Sequence, residues 1–180
     1  MVVEPGAREV TMTSCWPEIE GDAPPHRSTA QMLLAGAGFA AVTIAVAVGG
    51  SVINAGSMDW YDELERPGFT PPGATFGIVW TILYVLIAVA GWLAWRAARR
   101  PDPTIAWGVQ MALNFAWTAV FFGLQAPLAG LFVILALVVA IVVNIVLDAR
   151  VSRPAAWMLA PYLAWCCFAT ALNTAFVILN

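Results

Sequence analysis

The sequence contains no lysine, one histidine and three cysteines, and only 11% of its 180 residues are charged against 61% hydrophobic. Each scarcity closes a class of function. All the basic charge sits on eight arginines scattered along the chain, so there is no basic patch of the kind that binds nucleic acid. The single histidine, His26, lies in the polar N-terminal stretch, which excludes an imidazole-ligated metal from the apolar remainder. Cys15 and the adjacent pair Cys166 and Cys167 have neither metal-site nor redox-motif spacing and read as small packing residues. With no phosphate loop, no Ser/His/Asp or Cys/His set and no metal-ligand cluster, hydrolytic and metal-assisted chemistry have no residues to run on. So little charge in so apolar a chain also points away from water as the main solvent.

What is present is long apolar sequence. Ala30 to Ser57 and Pro154 to Asn180 contain no acidic or basic side chain, and each exceeds the roughly 20 residues that a helix needs to cross about 30 Å of hydrocarbon. Five spans are expected, at about residues 30–53, 75–95, 105–124, 128–147 and 155–179, giving an all-α fold, an integral membrane bundle of five transmembrane helices. Proline-bearing separators, "RAARRPDP", "QAP" and "DARVSRP", make successive helices antiparallel. Residues 1–29 are polar, acidic and without periodicity, which predicts a disordered tail; they lack the charged lead and short apolar core of a secretory signal. Arg8, Arg27, Arg96, Arg99, Arg100, Arg150 and Arg153 fall on one side of this topology and Arg66 alone on the other. The positive-inside rule then places the N-terminus inside and the C-terminus outside, with the 54–74 loop on the outer face.

Polar and aromatic residues within the spans fall on stripes. Gln110, Asn114, Trp117, Thr118, Phe121 and Gln125 share one face of the third span, and Tyr162, Trp165, Ala169, Asn173 and Phe176 share one face of the fifth. Trp80, Thr81 and Tyr84 cluster near the outer end of the second. These side chains either hydrogen-bond between helices, with the tryptophans forming interfacial belts, or converge on an aromatic pocket for a flat apolar ligand. Trp92, Trp95, Trp107 and Trp157 lie near span ends and suit the belt; Trp117 and Trp165 lie deeper and suit the pocket. The intramembrane polar groups read as neutral, with Asp148 at a boundary, which argues against ion-coupled pumping.

Four stretches, "WYDELERPGFTPP" (60–72), "WTILY" (80–84), "ALNFAWTAVFF" (112–122) and "PYLAWCCFATALN" (161–173), resemble the TspO/MBR family of tryptophan-rich sensory proteins and translocator proteins, formerly peripheral-type benzodiazepine receptors. The resemblance covers about residues 32–180. It implies a five-helix membrane protein, commonly a homodimer, that binds porphyrins such as protoporphyrin IX and haem as ligands, with no required cofactor and no metal site of its own, in a trafficking, sensory or regulatory role. Carried over by motif, the ligand-binding residues are Trp60, Tyr61, Trp80, Tyr84, Asn114, Trp117, Thr118, Phe121, Trp165, Ala169 and Asn173. Some bacterial members degrade protoporphyrin in light, an activity tied to tryptophans matching Trp80 and Trp165, which makes light-dependent porphyrin degradation the alternative to binding alone. A scaffold without a ligand is the third reading. Ala116 and Val120 match the family's third-helix dimer motif.

The chain also departs from the family. "LNTAFVILN" lacks the tyrosine and following basic residue of the sterol-recognition motif, which makes a sterol ligand unlikely. Thr118 stands where some ligand-binding members have asparagine. In the 54–74 loop, Pro67, Pro71 and Pro72 restrict the path while Asp59, Asp62, Glu63 and Glu65 keep its outer face wet. Trp60 and Tyr61 then turn inward, and the loop is expected to act as a lid.

Overall fold

The computed structural model describes residues 26–180. The expected tail therefore lies outside the described residues except at its end, where Arg27 and Ser28 are docked onto the helices. Six helices follow: α1 (Thr29–Ala55), α2 (Met58–Glu63), α3 (Gly73–Ala97), α4 (Asp102–Thr118, extended by a π-helical turn over Ala119–Gly123), α5 (Pro127–Val151) and α6 (Arg153–Leu179). All except α2 are long and apolar enough to cross a membrane, and no strand occurs among the described residues.

The ends of these helices follow from local chemistry. Ser28 caps α1 by accepting from the Gln31 amide, while the Gln31 side chain accepts from the Ser28 amide, a reciprocal box that satisfies two otherwise unpaired donors. Prolines in the first turns of α4, α5 and α6 occupy positions where no backbone donor is needed. Between α4 and α5 the chain turns through Gln125, whose φ of 53° is left-handed. Gln125 thus leaves the α4 stripe to which its spacing assigned it, because the π-helical turn and this reversal take it off the helix face.

The five long helices form a ring in the order α1, α3, α6, α5, α4 and back to α1, with α3 also touching α4 across the centre. The outward surface is apolar, with Leu33, Ile44, Ile78, Phe132, Val139 and Ile178 exposed. That is the surface lipid tails cover, and the chain is an integral, multi-pass membrane protein. Inside, Phe39, Leu83, Ile87, Met111, Leu137, Ile141 and Leu159 form the packed core. Lipid is as apolar as leucine, so close packing and internal hydrogen bonds hold such a bundle together rather than escape from water.

Gly91 shows how tight that packing is. A Cβ at this position would stand 2.6 Å from the Trp107 Nε1 and 2.9 Å from Phe39 Cδ1. The slot left by the missing side chain admits the Trp107 indole, which donates to the Ile87 carbonyl at 3.0 Å and meets the Phe39 ring edge-on at 4.7 Å. Trp107 is therefore a core residue and not the belt residue its place near a span end predicts. Trp157, 76% exposed, is free to act as one. Trp92 donates to the Met32 carbonyl at 3.0 Å and carries Arg96 over its ring, and Arg27 stacks 3.7 Å from the centre of the Trp95 ring.

Candidate functional site

At the end of the bundle opposite most of the arginines, a cavity of about 530 Å³ opens between α1, α3 and α4 beside α2. Phe76, Trp80 and Tyr84 of α3 form one wall, and Trp117, Thr118 and Phe122 of α4 and its π-helical turn form another. Small and polar residues of α1, namely Ala47, Gly50, Ser51 and Asn54, close the third side. The wall is thus mostly aromatic with a few neutral hydrogen-bonding groups, the composition of sites that hold flat, largely apolar ligands.

Helical spacing positions each wall. Phe76, Trp80 and Tyr84 recur every four residues and so stand one above another on α3. Trp80 tilts against Tyr84 at 5.3 Å between ring centres and meets Tyr162 edge-on at 6.2 Å. Behind this wall the Tyr84 hydroxyl donates to Asn114 Oδ1 at 3.0 Å, and Asn114 Nδ2 donates to the Tyr162 hydroxyl at 3.0 Å. Asn114 and Tyr162 are buried, so one α4 amide ties α3 to α6 and sets the angle of the Tyr84 ring.

A second aromatic group stands beside the cavity and anchors α2. Trp117 stacks on Phe121 at 5.6 Å, and its indole donates to Asn173 Oδ1 at 3.2 Å. Asn173 Nδ2 in turn donates to the Pro127 carbonyl at 2.8 Å, fixing the start of α5 to α6. Onto this cluster α2 lowers two side chains. Trp60 meets Phe121 edge-on at 5.9 Å, while Tyr61 lies between Phe122 at 5.6 Å and Phe176 at 5.5 Å. Burial pushes the Tyr61 phenol above its usual range, opposed by Arg66, which lies 4.9 Å from the Tyr61 ring centre and pairs with Asp62. Further along, the Asn180 amide clasps the Glu65 backbone, accepting from its N–H at 2.9 Å and donating to its carbonyl at 3.2 Å.

Of the residues singled out in the sequence, Trp80, Tyr84, Trp117 and Thr118 wall the cavity directly. Asn114, Phe121, Ala169 and Asn173 are buried behind it, and the two asparagines spend their amides within the bundle. Trp60 and Tyr61 sit in the aromatic cluster that anchors α2. Trp165 packs against Phe76 at 5.5 Å and Phe168 at 5.3 Å, one ring removed from the cavity, and its indole N–H has no partner among the described residues.

Three features escape the sequence patterns. The α1 wall is one, because its signal is smallness: Gly50 brings α1 within contact distance of Thr118, where a Cβ would stand 3.6 Å from its methyl carbon. The helical character of the 58–63 segment is another; the tract "SMDWYDE" with Asp59 in its first turn carries that signal. Asp148 is the third. It sits on the inward face of α5, fully buried, and accepts from Asn144 at 3.0 Å. Its spacing placed it at a span boundary, and its burial shows that proximity to a helix end does not expose a residue whose face points inward.

Residues 39–179 match the model of the TspO/MBR family. A "Tryptophan-rich protein TspO" of Archaeoglobus fulgidus is 43% identical over 140 residues, 76% of this chain and 91% of the relative. The "Translocator protein" of Homo sapiens is 33% identical over 131 residues, 70% of this chain and 78% of the relative. A "Tryptophan-rich sensory protein" of Cereibacter sphaeroides is 30% identical over 115 residues, 64% of this chain and 73% of the relative. The matched stretch includes every residue that walls the cavity, from Ala47 to Phe122, as well as the aromatic cluster that anchors α2, and this chain belongs to the TspO/MBR family.

Proposed function

We propose that the protein binds a tetrapyrrole, protoporphyrin IX or haem, in the cavity beneath α2, in a trafficking, sensory or regulatory role. The observation that carries this reading is the cavity itself: about 530 Å³ walled by Trp80, Tyr84, Trp117, Phe76 and Phe122. Its volume falls in the range of small-molecule sites, about 300–1,000 Å³. A macrocycle has flat faces to set against the Trp80 and Trp117 rings. Thr118, Ser51 and Asn54 are the neutral groups within reach of its polar edge, the role that the sequence pattern gave to Asn114 and Asn173. The α2 segment closes over the bound ligand on the outer side of the membrane, the side assigned by the arginine count, and two copies of the chain associate through the α4 face that carries Ala116 and Val120.

Titration with protoporphyrin IX, followed by tryptophan fluorescence, tests the reading. Saturable quenching is expected, with Trp80→Ala weakening affinity about tenfold through loss of a stacking partner and its buried area. Trp165→Ala is expected to weaken it less, since Trp165 acts through Phe76. Absence of saturable binding, or a Trp80→Ala protein that binds like the wild type, overturns the proposal.

A further inference from the structure

Away from the cavity, toward the arginine-rich end, the bundle encloses polar atoms that the cavity does not use. Gln110 of α4 and Asn144 and Asp148 of α5 are all fully buried. Asn144 Nδ2 donates to Asp148 Oδ1 at 3.0 Å. Four of their atoms have no hydrogen-bond partner among the described residues: Oε1 and Nε2 of Gln110, Oδ1 of Asn144 and Oδ2 of Asp148. Buried polar atoms are nearly always paired, by protein or by ordered water, so four in one region mark a site and not a packing accident.

Helical register brings them together. Asn144 and Asp148 are one turn apart on the inward face of α5. The groove on the outer side of the α4 and α5 pair is lined by Asp102, Ala106 and Val109 together with Ala140, Val143 and Leu147. The first turns of α4 therefore lie beside the last turns of α5, which sets Gln110 about one and a half helical turns, ~7 Å, from the level of Asn144. A chain of about two or three hydrogen-bonded waters spans such a gap. In the other direction Gln110 is one turn from Asn114, whose amide holds Tyr84 in the cavity wall.

The donor and acceptor inventory selects the occupant. An ionised carboxylate in an apolar interior needs a compensating charge. Among the described residues the charged groups at this end are Arg27 over the Trp95 ring, Arg150 on α5, Arg153 on α6, Arg96 over the Trp92 ring on α3, Asp102 with Arg100 at the start of α4, and Arg99 between α3 and α4. Oδ2 of Asp148 receives a hydrogen bond from none of them. A metal ion would satisfy the three oxygens but set its charge against the Gln110 Nε2 donor, whereas water both donates and accepts.

We propose that Gln110, Asn144 and Asp148 form an internal site for a proton and its hydrating water. The proton comes from solution at the arginine-rich end and forms an O–H bond on Asp148 Oδ2, with no electron transferred. Water links that hydroxyl to Asn144 Oδ1 and the Gln110 amide. The site ends a polar column that runs through Gln110 and Asn114 to Tyr84.

Infrared difference spectroscopy of the full-length protein in lipid nanodiscs, exchanged between H2O and D2O at neutral pH, tests this. A protonated-carboxyl C=O band is expected in the wild type, sensitive to deuterium, absent in Asp148→Asn and shifted in frequency in Gln110→Leu. Replacing sodium by potassium or choline is expected to leave it unchanged. A wild-type spectrum without the band, which requires no variant to fold, overturns the proposal. So does a band that persists in Asp148→Asn, one that Gln110→Leu leaves unshifted, or one that disappears as sodium is added.

Discussion

The two ends of the bundle solve different problems. At the α2 end, helices diverge around a cavity and the gap is lined with aromatic rings; at the arginine-rich end, they close until Gly91 admits only the edge of Trp107. Aromatic planes tolerate an empty or filled space because their contacts are many and individually weak. A buried amide or carboxyl tolerates no such ambiguity, since each unpaired atom carries a full desolvation cost. The α2 end therefore keeps an open space between its helices, and the other end holds the five helices in register.

Substitutions can break that contrast. The largest effect is expected from Gly91→Val, which forces a branched side chain into the Trp107 slot and costs about 3 kcal/mol or more of stability. Thermal unfolding in detergent should show it as a large fall in melting temperature, and a small change would mean that the closed end is looser than the geometry implies. Next, Tyr162→Phe removes the acceptor of Asn114 Nδ2 and leaves a buried donor unpaired, at about 1–3 kcal/mol. The accompanying loss of ligand affinity should be smaller than that of Trp80→Ala, since Tyr162 supports the wall without forming it. If affinity falls more steeply than stability, the network belongs to the cavity and not to the frame.

Smaller effects sharpen the lid. Asn180→Ala deletes both hydrogen bonds to the Glu65 backbone, each worth about 0.5–1.5 kcal/mol. Faster amide hydrogen exchange across residues 58–65 is expected with an unchanged melting temperature, and unchanged exchange would show that the aromatic anchor alone holds α2. Smallest of all is Arg66→Ala. Its pair with Asp62 is partly exposed on the lid surface, and such pairs contribute about 0–1 kcal/mol.

How much of this was legible in the sequence varies with the kind of signal. The five spans were, because a helix that must satisfy its own backbone in lipid announces itself by an uninterrupted apolar run. The aromatic wall was partly legible, since Trp80 and Tyr84, or Trp117 and Phe121, are spaced by one helical turn. Their division of labour was not. Asn114 lies on the same stripe as the cavity residues Trp117 and Thr118, and Asn173 on the α6 stripe behind them, yet their amides are consumed by Tyr84, Tyr162, Trp117 and the Pro127 carbonyl. Period alone names a face and cannot say which neighbour meets it. Trp107 and Gln125 were misplaced for related reasons, one by a missing Cβ on another helix and the other by a π-helical turn.

By itself, then, the sequence determined the solvent and the number of helices, and its motifs named the family. Those properties are local or compositional: apolar run length, proline and arginine placement, and short quoted tracts. Only the tertiary structure decided that α1 supplies a cavity wall, that Trp165 stands behind Phe76, and that Asp148 faces inward beside Asn144. Each depends on which residue of one helix lies opposite a given residue of another, a register set by side-chain volumes summed across the whole bundle and written in no single segment.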